Sequence, residues 1–180
     1  MTEETPHQVF TTGHSTRALS LFVSILQSFG IDLVVDIRTV PRSRHNPQFN
    51  KETLPESLGR LGIGYLHMAG LGGLRKAGPD SVNQGWHNAS FRGFADYMGT
   101  DEFESNLKEV IELRSEHTLV LMCAEAVPWR CHRSLVADAL LARGIEVRHI
   151  LSEGAHQKHR LTPFAQVRGT QVTYPGSGLF

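Results

Sequence analysis

The sequence has little of several features that would assign it quickly to a protein class. It has two cysteines in 180 residues, too few for the disulfide framework of small secreted domains. Eighteen basic residues balance eighteen acidic ones, so a nucleic-acid site would have to be a local patch. No apolar run approaches the roughly 18–20 residues that span a membrane, and the acidic, polar start MTEETPHQVF is unlike a signal peptide. We therefore expect a cytoplasmic protein without a membrane partner.

The composition and the order of elements predict one α/β domain. Hydrophobic residues make up 40% of the chain, which is typical of a globular fold, and the length is that of one domain. Apolar runs predict strands over 9–12, 31–37, 65–68, 118–123 and 145–150. Apolar residues at helical spacing predict helices over 16–29, 53–61, 91–98, 101–114 and 131–142, with Ser15, Thr53 and Thr100 as caps.

This alternation favours a mostly parallel sheet with helices on both faces. The domain is expected to span 1–180, with a loop-like or tail-like segment from about 151, in which 167–174 is an edge strand or simply a tail. In such sheets, ligands bind beyond the carboxyl ends of the strands. We therefore expect the site at that edge.

The densest group of reactive residue types lies between the fourth strand and the last helix. Cys123 ends the strand, and Cys131 and His132 are expected in the first turn of the helix. A helix N-terminus attracts anions and lowers the pKa of a thiol. The sequence thus predicts a nucleophilic or redox cysteine with an acid/base partner, whereas a carboxylate at Glu125 would oppose a thiolate and instead act as acid/base or pair with an arginine. The candidate catalytic residues are Cys123, Glu125, Cys131 and His132.

Two other interpretations use the same residues. Free cysteines are commonly small buried hydrophobic residues. Alternatively, both cysteines and His132 supply three ligands of a metal, with a fourth from His14, His45 or His67. The spacing lacks the paired C-x₂-C pattern of structural zinc sites, so we assign no metal ligand, and no motif requires a cofactor.

Polar residues also follow the first two strands. Arginines after the second strand are suited to a phosphate or carboxylate, although an ion-paired surface loop is the alternative. His14, after the first strand, is a candidate general base or binding donor. We expect a small anionic substrate, phosphate-bearing or nucleotide-like, and a transfer or hydrolysis reaction. The candidate binding residues are His14, Ser15, Asp36, Arg38, Arg42, Arg130 and Arg133.

Several motifs are shared with a known family. They are Thr12-Gly13-His14-Ser15-Thr16, Asp36-Ile37-Arg38, Pro41-Arg42-Ser43, Asn46-Pro47-Gln48-Phe49, Leu71-Gly72-Gly73, Met122-Cys123-Ala124-Glu125, Trp129-Arg130-Cys131-His132-Arg133-Ser134 and Leu161-Thr162-Pro163-Phe164. Through them the sequence resembles the domain-of-unknown-function 488 family of small prokaryotic proteins, over nearly the whole chain. The resemblance brings no established activity.

The cysteine segment is also similar to the loops of rhodanese-like proteins and thiol phosphatases, in which a strand ends in a nucleophilic cysteine and an arginine lies near the next helix. Six residues separate Cys123 from Arg130. The loop departs from that pattern because it lacks glycine, carries Glu125, and includes Pro128, which has no N–H to donate.

A nucleic-acid-associated protein is the alternative function. The loop 38–45 and the segment 156–160 would form a local basic face, with Trp86 or Trp129 stacking on a base. The balanced charge argues against this interpretation. The sequence leaves the oligomeric state and the role of the glycine-rich segment 70–90 open.

Overall fold

A six-stranded sheet forms the centre of the protein. In the computed structural model, which describes residues 8–177, the strand order is β3-β2-β4-β1-β5-β6. The strands are β1 (Val9–Gly13), β2 (Leu33–Asp36), β3 (Gly64–His67), β4 (Leu119–Cys123), β5 (Val147–Ser152) and β6 (Ala155–Lys158). The first five are mutually parallel and β6 is antiparallel to β5. The predicted mostly parallel α/β fold is confirmed, while residues 1–7 and 178–180 of the expected domain lie outside the described range.

Helices cover both faces of the sheet, as predicted. They are α1 (Leu19–Ser28), α2 (Leu54–Gly59), α3 (Ala89–Tyr97), α4 (Asp101–Leu113) and α5 (Arg133–Leu141). Adjacent strand residues point to opposite faces, so Val34 packs with Phe22 of α1 on one face and Val35 packs with Phe103 of α4 on the other. Apolar cores on both faces explain why β2 carries no polar alternation. No helix among residues 8–177 is long and apolar enough to cross a membrane.

Two of the three predicted helix caps need correction. Helix α1 begins at Leu19 with Ala18 as its N-cap, not with Ser15, which instead turns the chain at φ 51°. Thr53 precedes α2, but its side chain makes no capping hydrogen bond. The cap of α4 is confirmed, because the Thr100 hydroxyl accepts a hydrogen bond from the Phe103 N–H at 3.2 Å.

The last helix also starts later than expected. A 3₁₀ turn, Pro128–Arg130, follows β4, and α5 begins at Arg133 with His132 as N-cap. The expected place of Cys131 in the first helical turn is therefore wrong. The backbone N–H of Arg133 nevertheless points at Cys131 Sγ, at 3.5 Å, so the helix start still faces this thiol.

Short strands occupy the segment from about 151. Beyond β6, a hairpin pairs β7 (Gln166–Arg168) with β8 (Gln171–Thr173). Tyr174 then lies fully buried and donates a hydrogen bond to Asp138 Oδ2 at 2.7 Å. The chain after 151 is thus anchored to α5 instead of trailing as a tail.

Candidate functional site

The parallel sheet brings the predicted polar segments to one edge. Strands β2, β4 and β1 are neighbours, and Gly13 is in register with Cys123, as Asp36 is with Met122. The residues that follow these strands therefore meet at their carboxyl ends. A cavity of about 590 Å³ opens there, a volume typical of small-molecule sites. Its walls include His14, Ser15, Arg38, Arg42, Cys123, Glu125, Arg130, Cys131 and His132.

Two free thiols touch each other in the wall of this cavity. Cys123 is 2% exposed and Cys131 is 6% exposed, and neither is in a disulfide. Cys123 ends β4, and the turn Pro128–Arg130 carries the chain back across it. The Cys131 thiol consequently donates a hydrogen bond to Cys123 Sγ, with 2.8 Å between the two sulfur atoms.

Arg133 lies behind this pair and is fully buried. Its Nη1 lies 2.7 Å from Cys123 Sγ and also donates to the backbone carbonyl of Glu125. Its Nη2 donates to the Ala126 carbonyl at 2.9 Å, and its Nε has no hydrogen-bond partner. Within residues 8–177, no carboxylate forms an ion pair with this guanidinium.

The surroundings give the two thiols different acidities. Burial opposes ionisation of Cys123, but the hydrogen bond from Cys131 and the charge of Arg133 together lower the pKa of Cys123 to about 7. Burial and the neighbouring Cys123 sulfur raise the pKa of Cys131 well above its ordinary value. Of the two thiols, Cys123 is therefore the one whose ionisation is favoured, and Cys131 is the one that keeps its proton.

The ring of His132 is oriented by the backbone. Its Nε2 lies 3.1 Å from the carbonyl oxygen of Ile37, and a carbonyl only accepts, so Nε2 carries the proton. The unprotonated Nδ1 then faces Cys131 Sγ at 3.5 Å. Burial lowers the pKa of His132 to about 4. The ring is thus a neutral acceptor next to the second thiol.

A buried ion pair forms a second group at the edge. Asp36 is fully buried and accepts from Arg38 Nε at 2.9 Å and from Arg38 Nη2 at 2.7 Å. The hydroxyl of Tyr65 donates to the same carboxylate, and Arg38 Nη2 also donates to the Phe49 carbonyl at 2.6 Å. This bidentate pair fixes the loop after β2 and leaves Arg38 largely committed to protein partners.

His14 belongs to this ion-pair group. Its Nδ1 donates to the Ser15 carbonyl at 2.8 Å, so the acceptor is Nε2, which faces Arg38 Nη1 at 3.2 Å. The ring stacks on Phe49 with 4.3 Å between centroids, and burial lowers the pKa of His14 to about 4. Both ring nitrogens of His14, the candidate general base or binding donor, are therefore engaged with protein groups in this structure.

The remaining candidates lie on the rim of the cavity. Arg42 is exposed and forms an ion pair with Glu52, at 2.7 Å. The side chains of Glu125 and Arg130 are also exposed, and neither makes a hydrogen bond or ion pair with the residues described. The structure therefore separates the predicted residues into a buried thiol group, a buried ion-pair group and a charged rim.

Two further residues shape the site: Tyr65, which the sequence analysis did not single out, and Gly73, which it named only as part of a motif. The hydroxyl of Tyr65 donates a hydrogen bond to the Asp36 carboxylate. The only sequence signal for this contact was that Tyr65 lies in the predicted strand that follows the strand of Asp36. A Cβ atom on Gly73 would lie 2.6 Å from His132 Nδ1, a contact that real structures do not show. The glycine therefore lets the chain pass over the histidine ring, which gives a physical reason for the Leu71-Gly72-Gly73 motif.

The geometry also bears on the two alternative interpretations, a metal site and a nucleic-acid face. Among residues 8–177, no group of three or more histidine, cysteine or acidic side chains is arranged to hold a metal ion. In the two segments proposed as a basic face for nucleic acid, Arg38 and His159 are buried and bonded to the carboxylates of Asp36 and Asp138. The other basic residues of these segments, Arg42, Arg44, His45, His156, Lys158 and Arg160, are exposed.

Comparisons with known proteins identify a family. A family model described as "Domain of unknown function DUF488" matches residues 18–140, which is more than half of the chain. The matched region includes Asp36, Arg38 and the whole Cys123–Arg133 segment, whereas His14 precedes it. No curated protein and no solved structure matches the chain. The chain belongs to the DUF488 family of proteins.

Proposed function

We propose that this protein is an enzyme that uses the Cys123 thiolate as a nucleophile on a small anionic molecule bound in the cavity. The thiolate forms a bond to an electrophilic centre of the substrate while the bond to the leaving group breaks. The reaction class is a group transfer, in which a second molecule or water then accepts the group from Cys123. A cytoplasmic location is part of the proposal, because a reducing compartment keeps both thiols free.

The observation that carries this proposal is the position of Arg133. A guanidinium keeps its positive charge in proteins, and burying a charge without a counter-ion is costly. Among the described residues, the ionisable group that the Arg133 guanidinium hydrogen-bonds is the Cys123 thiol, with 2.7 Å between Nη1 and Sγ. Ionised Cys123 removes that cost, so the fold itself favours the reactive form of the cysteine.

The rim supports the choice of an anionic substrate. Arg130 lines the cavity and is exposed without an acidic partner in the described part of the chain, whereas Arg38 and Arg42 are paired with carboxylates. A phosphate or carboxylate group is the chemical partner that an uncommitted guanidinium binds best. Glu125, on the same rim, is the available acid/base for the leaving group.

The first test is the pH dependence of alkylation, followed for each cysteine by mass spectrometry. Cys123 is expected to be labelled by iodoacetamide with a midpoint near pH 7, below the ordinary thiol pKa of about 8.5. The same experiment on the Cys131→Ser variant follows Cys123 as the one remaining thiol. A midpoint for Cys123 at or above the ordinary value would contradict the proposal.

The role of Arg130 is tested with two alkylating reagents that differ in charge. Iodoacetate is anionic and iodoacetamide is neutral, so the ratio of their rates at Cys123 isolates the charge of the cavity. In Arg130→Gln we expect this ratio to fall by about two- to fivefold, the effect of one exposed charge pair. Arg44→Gln is the matched control, since this exposed arginine does not line the cavity. An unchanged ratio in Arg130→Gln would remove the support for an anionic substrate.

A further inference from the structure

The site holds a second thiol, Cys131, although a reaction with one nucleophile requires only Cys123. Cys131 Sγ is in direct contact with Cys123 Sγ, at 2.8 Å, and the unprotonated Nδ1 of His132 faces it from another direction, at 3.5 Å. A sulfur–sulfur bond is about 2.05 Å long, so a small shift of the side chains would join the pair. Both cysteines are lining residues of the cavity, so the thiol pair lies next to the place where a molecule would bind.

We propose that Cys131 is a resolving thiol and that the substrate of this site is a small anionic disulfide, which the enzyme reduces by thiol–disulfide exchange. This inference rests on the proposed nucleophilic role of Cys123. It adds two points to that role: the substrate atom that Cys123 attacks is a sulfur, and Cys131 is the group that completes the reaction.

The reaction has two displacement steps. The Cys123 thiolate attacks one sulfur of the disulfide R–S–S–R′, forms a Cys123–S–S–R mixed disulfide and releases R′–S⁻. The Cys131 thiol then gives its proton to His132 Nδ1 and attacks Cys123 Sγ, forming the Cys123–Cys131 disulfide. The departing R–S⁻ takes the proton from His132. Two electrons pass from the two protein sulfurs to the substrate, which leaves as one thiolate, R′–S⁻, and one thiol, R–SH. A thiol reductant then returns the Cys123–Cys131 disulfide to the reduced pair for the next turnover.

Electrostatics make the two steps follow in this order. While Cys123 is an anion, the Cys131 thiol is held protonated, because the neighbouring negative charge and burial raise its pKa. The mixed disulfide removes that charge. Arg133, which lowers the pKa of Cys131, then has no thiolate beside it and favours ionisation of the second thiol. Cys131 is therefore inactive until Cys123 has reacted.

Glutathione disulfide is the probe for this proposal, because it is a small anionic disulfide. The reduced protein is mixed with it, quenched at low pH at intervals, and analysed by intact mass and peptide mapping. In the unaltered protein we expect the Cys123–Cys131 disulfide and two glutathione thiols released per chain. In Cys131→Ser we expect a stable mixed disulfide on Cys123 and one thiol released. In Cys123→Ser we expect neither product.

The histidine provides a readout for the second step alone. In His132→Gln the release of the second glutathione should slow at least tenfold relative to the release of the first, so the mixed disulfide accumulates. Circular dichroism shows whether each variant is folded, and the mapping of the unaltered protein requires no variant. Cys131→Ala is the second variant should the serine disturb packing.

The outcomes separate this inference from the proposed function. A mixed disulfide on Cys123 that persists in the unaltered protein, with Cys131 still free, would overturn the resolving role and leave the nucleophile intact. Absence of any reaction, together with a Cys123 alkylation midpoint at or above the ordinary thiol value, would overturn both. A Cys123–Cys131 disulfide formed only with neutral disulfides would overturn the anionic substrate class.

Discussion

Arg133 links the stability of this protein to its chemistry. A buried guanidinium next to a thiol stabilises the thiolate, and the thiolate in turn offsets the cost of burying the guanidinium. The same guanidinium also donates hydrogen bonds to the carbonyls of Glu125 and Ala126. Arg133 therefore holds the loop after β4 in place. One arginine thus favours ionisation of Cys123, together with the hydrogen bond from Cys131, and also holds the loop in place.

Replacing this arginine should shift the acidity of Cys123. In Arg133→Met, which has a side chain of comparable length without charge, we expect the alkylation midpoint of Cys123 to rise by at least one pH unit. In Arg133→Lys, which keeps the charge but not the planar fork, we expect a smaller rise. The alkylation profile measures both, with circular dichroism as the check of folding. Equal midpoints in all three proteins would show that Arg133 does not control the thiol.

The type of chemistry at the site could be predicted from the residues, but the direction of individual side chains could not. Cysteine, histidine and arginine after one buried strand indicated a thiol site with positive charge. Which arginine reaches the sulfur depends on where α5 begins. The 3₁₀ turn shifts that start to Arg133, so Arg133 points inward while Arg130 stays on the rim. Such a turn leaves no periodic pattern in the sequence.

Some secondary-structure elements can be predicted from their own residues, and others cannot. Buried strands with continuous apolar runs, such as β2 and β4, and the capped helix α4 follow from their own residues. The side chains of β6 and β7 are exposed along their whole length, so no alternation distinguishes them from loop. Their position is set by tertiary contacts, such as the hydrogen bond of Tyr174 to Asp138, which a local pattern cannot reveal.

The contact between the end of β1 and the loop after β4 requires a glycine. A Cβ atom on Gly13 would lie 1.7 Å from the carbonyl oxygen of Glu125 and 2.8 Å from Arg133 Nη1. Because the nearest atoms belong to the backbone, the loop itself would have to move. That movement would take the Glu125 carbonyl away from Arg133 and loosen the guanidinium that faces Cys123.

We therefore expect Gly13→Ala to be destabilised by about 1–3 kcal/mol, as overpacked interiors are, and to show a raised alkylation midpoint for Cys123. Gly59→Ala is the matched control, because a Cβ there meets no atom within 4 Å and alanine favours a helix. Urea unfolding and the alkylation profile are the measurements. Equal stability of the two variants would mean that the loop has more room than this geometry allows.

Across the whole molecule, as far as residues 8–177 describe it, three histidines have a pKa that burial lowers strongly. Burial lowers the pKa of His14 and His132 to about 4 and that of His149 to about 3. His14 and His132 lie in the site. His149 lies on β5, and its Nε2 is 2.8 Å from His159 Nδ1. Each of the three imidazoles takes up a proton more readily in the unfolded chain, where the ordinary pKa is about 6.5.

This difference predicts how the stability of the protein depends on pH. Between pH 6.5 and about 4 the unfolded chain binds more protons than the folded one, so the free energy of unfolding falls as the pH falls. From pH 7 to pH 5, each of the three histidines is expected to contribute a loss of up to about 2 kcal/mol. Urea unfolding across this range measures the loss. The variant His45→Gln, which removes an exposed histidine, should keep the same slope, whereas His132→Gln should reduce it. A stability that stays constant from pH 7 to pH 5 would mean that these rings reach water when they are protonated, and that the closed site opens at low cost.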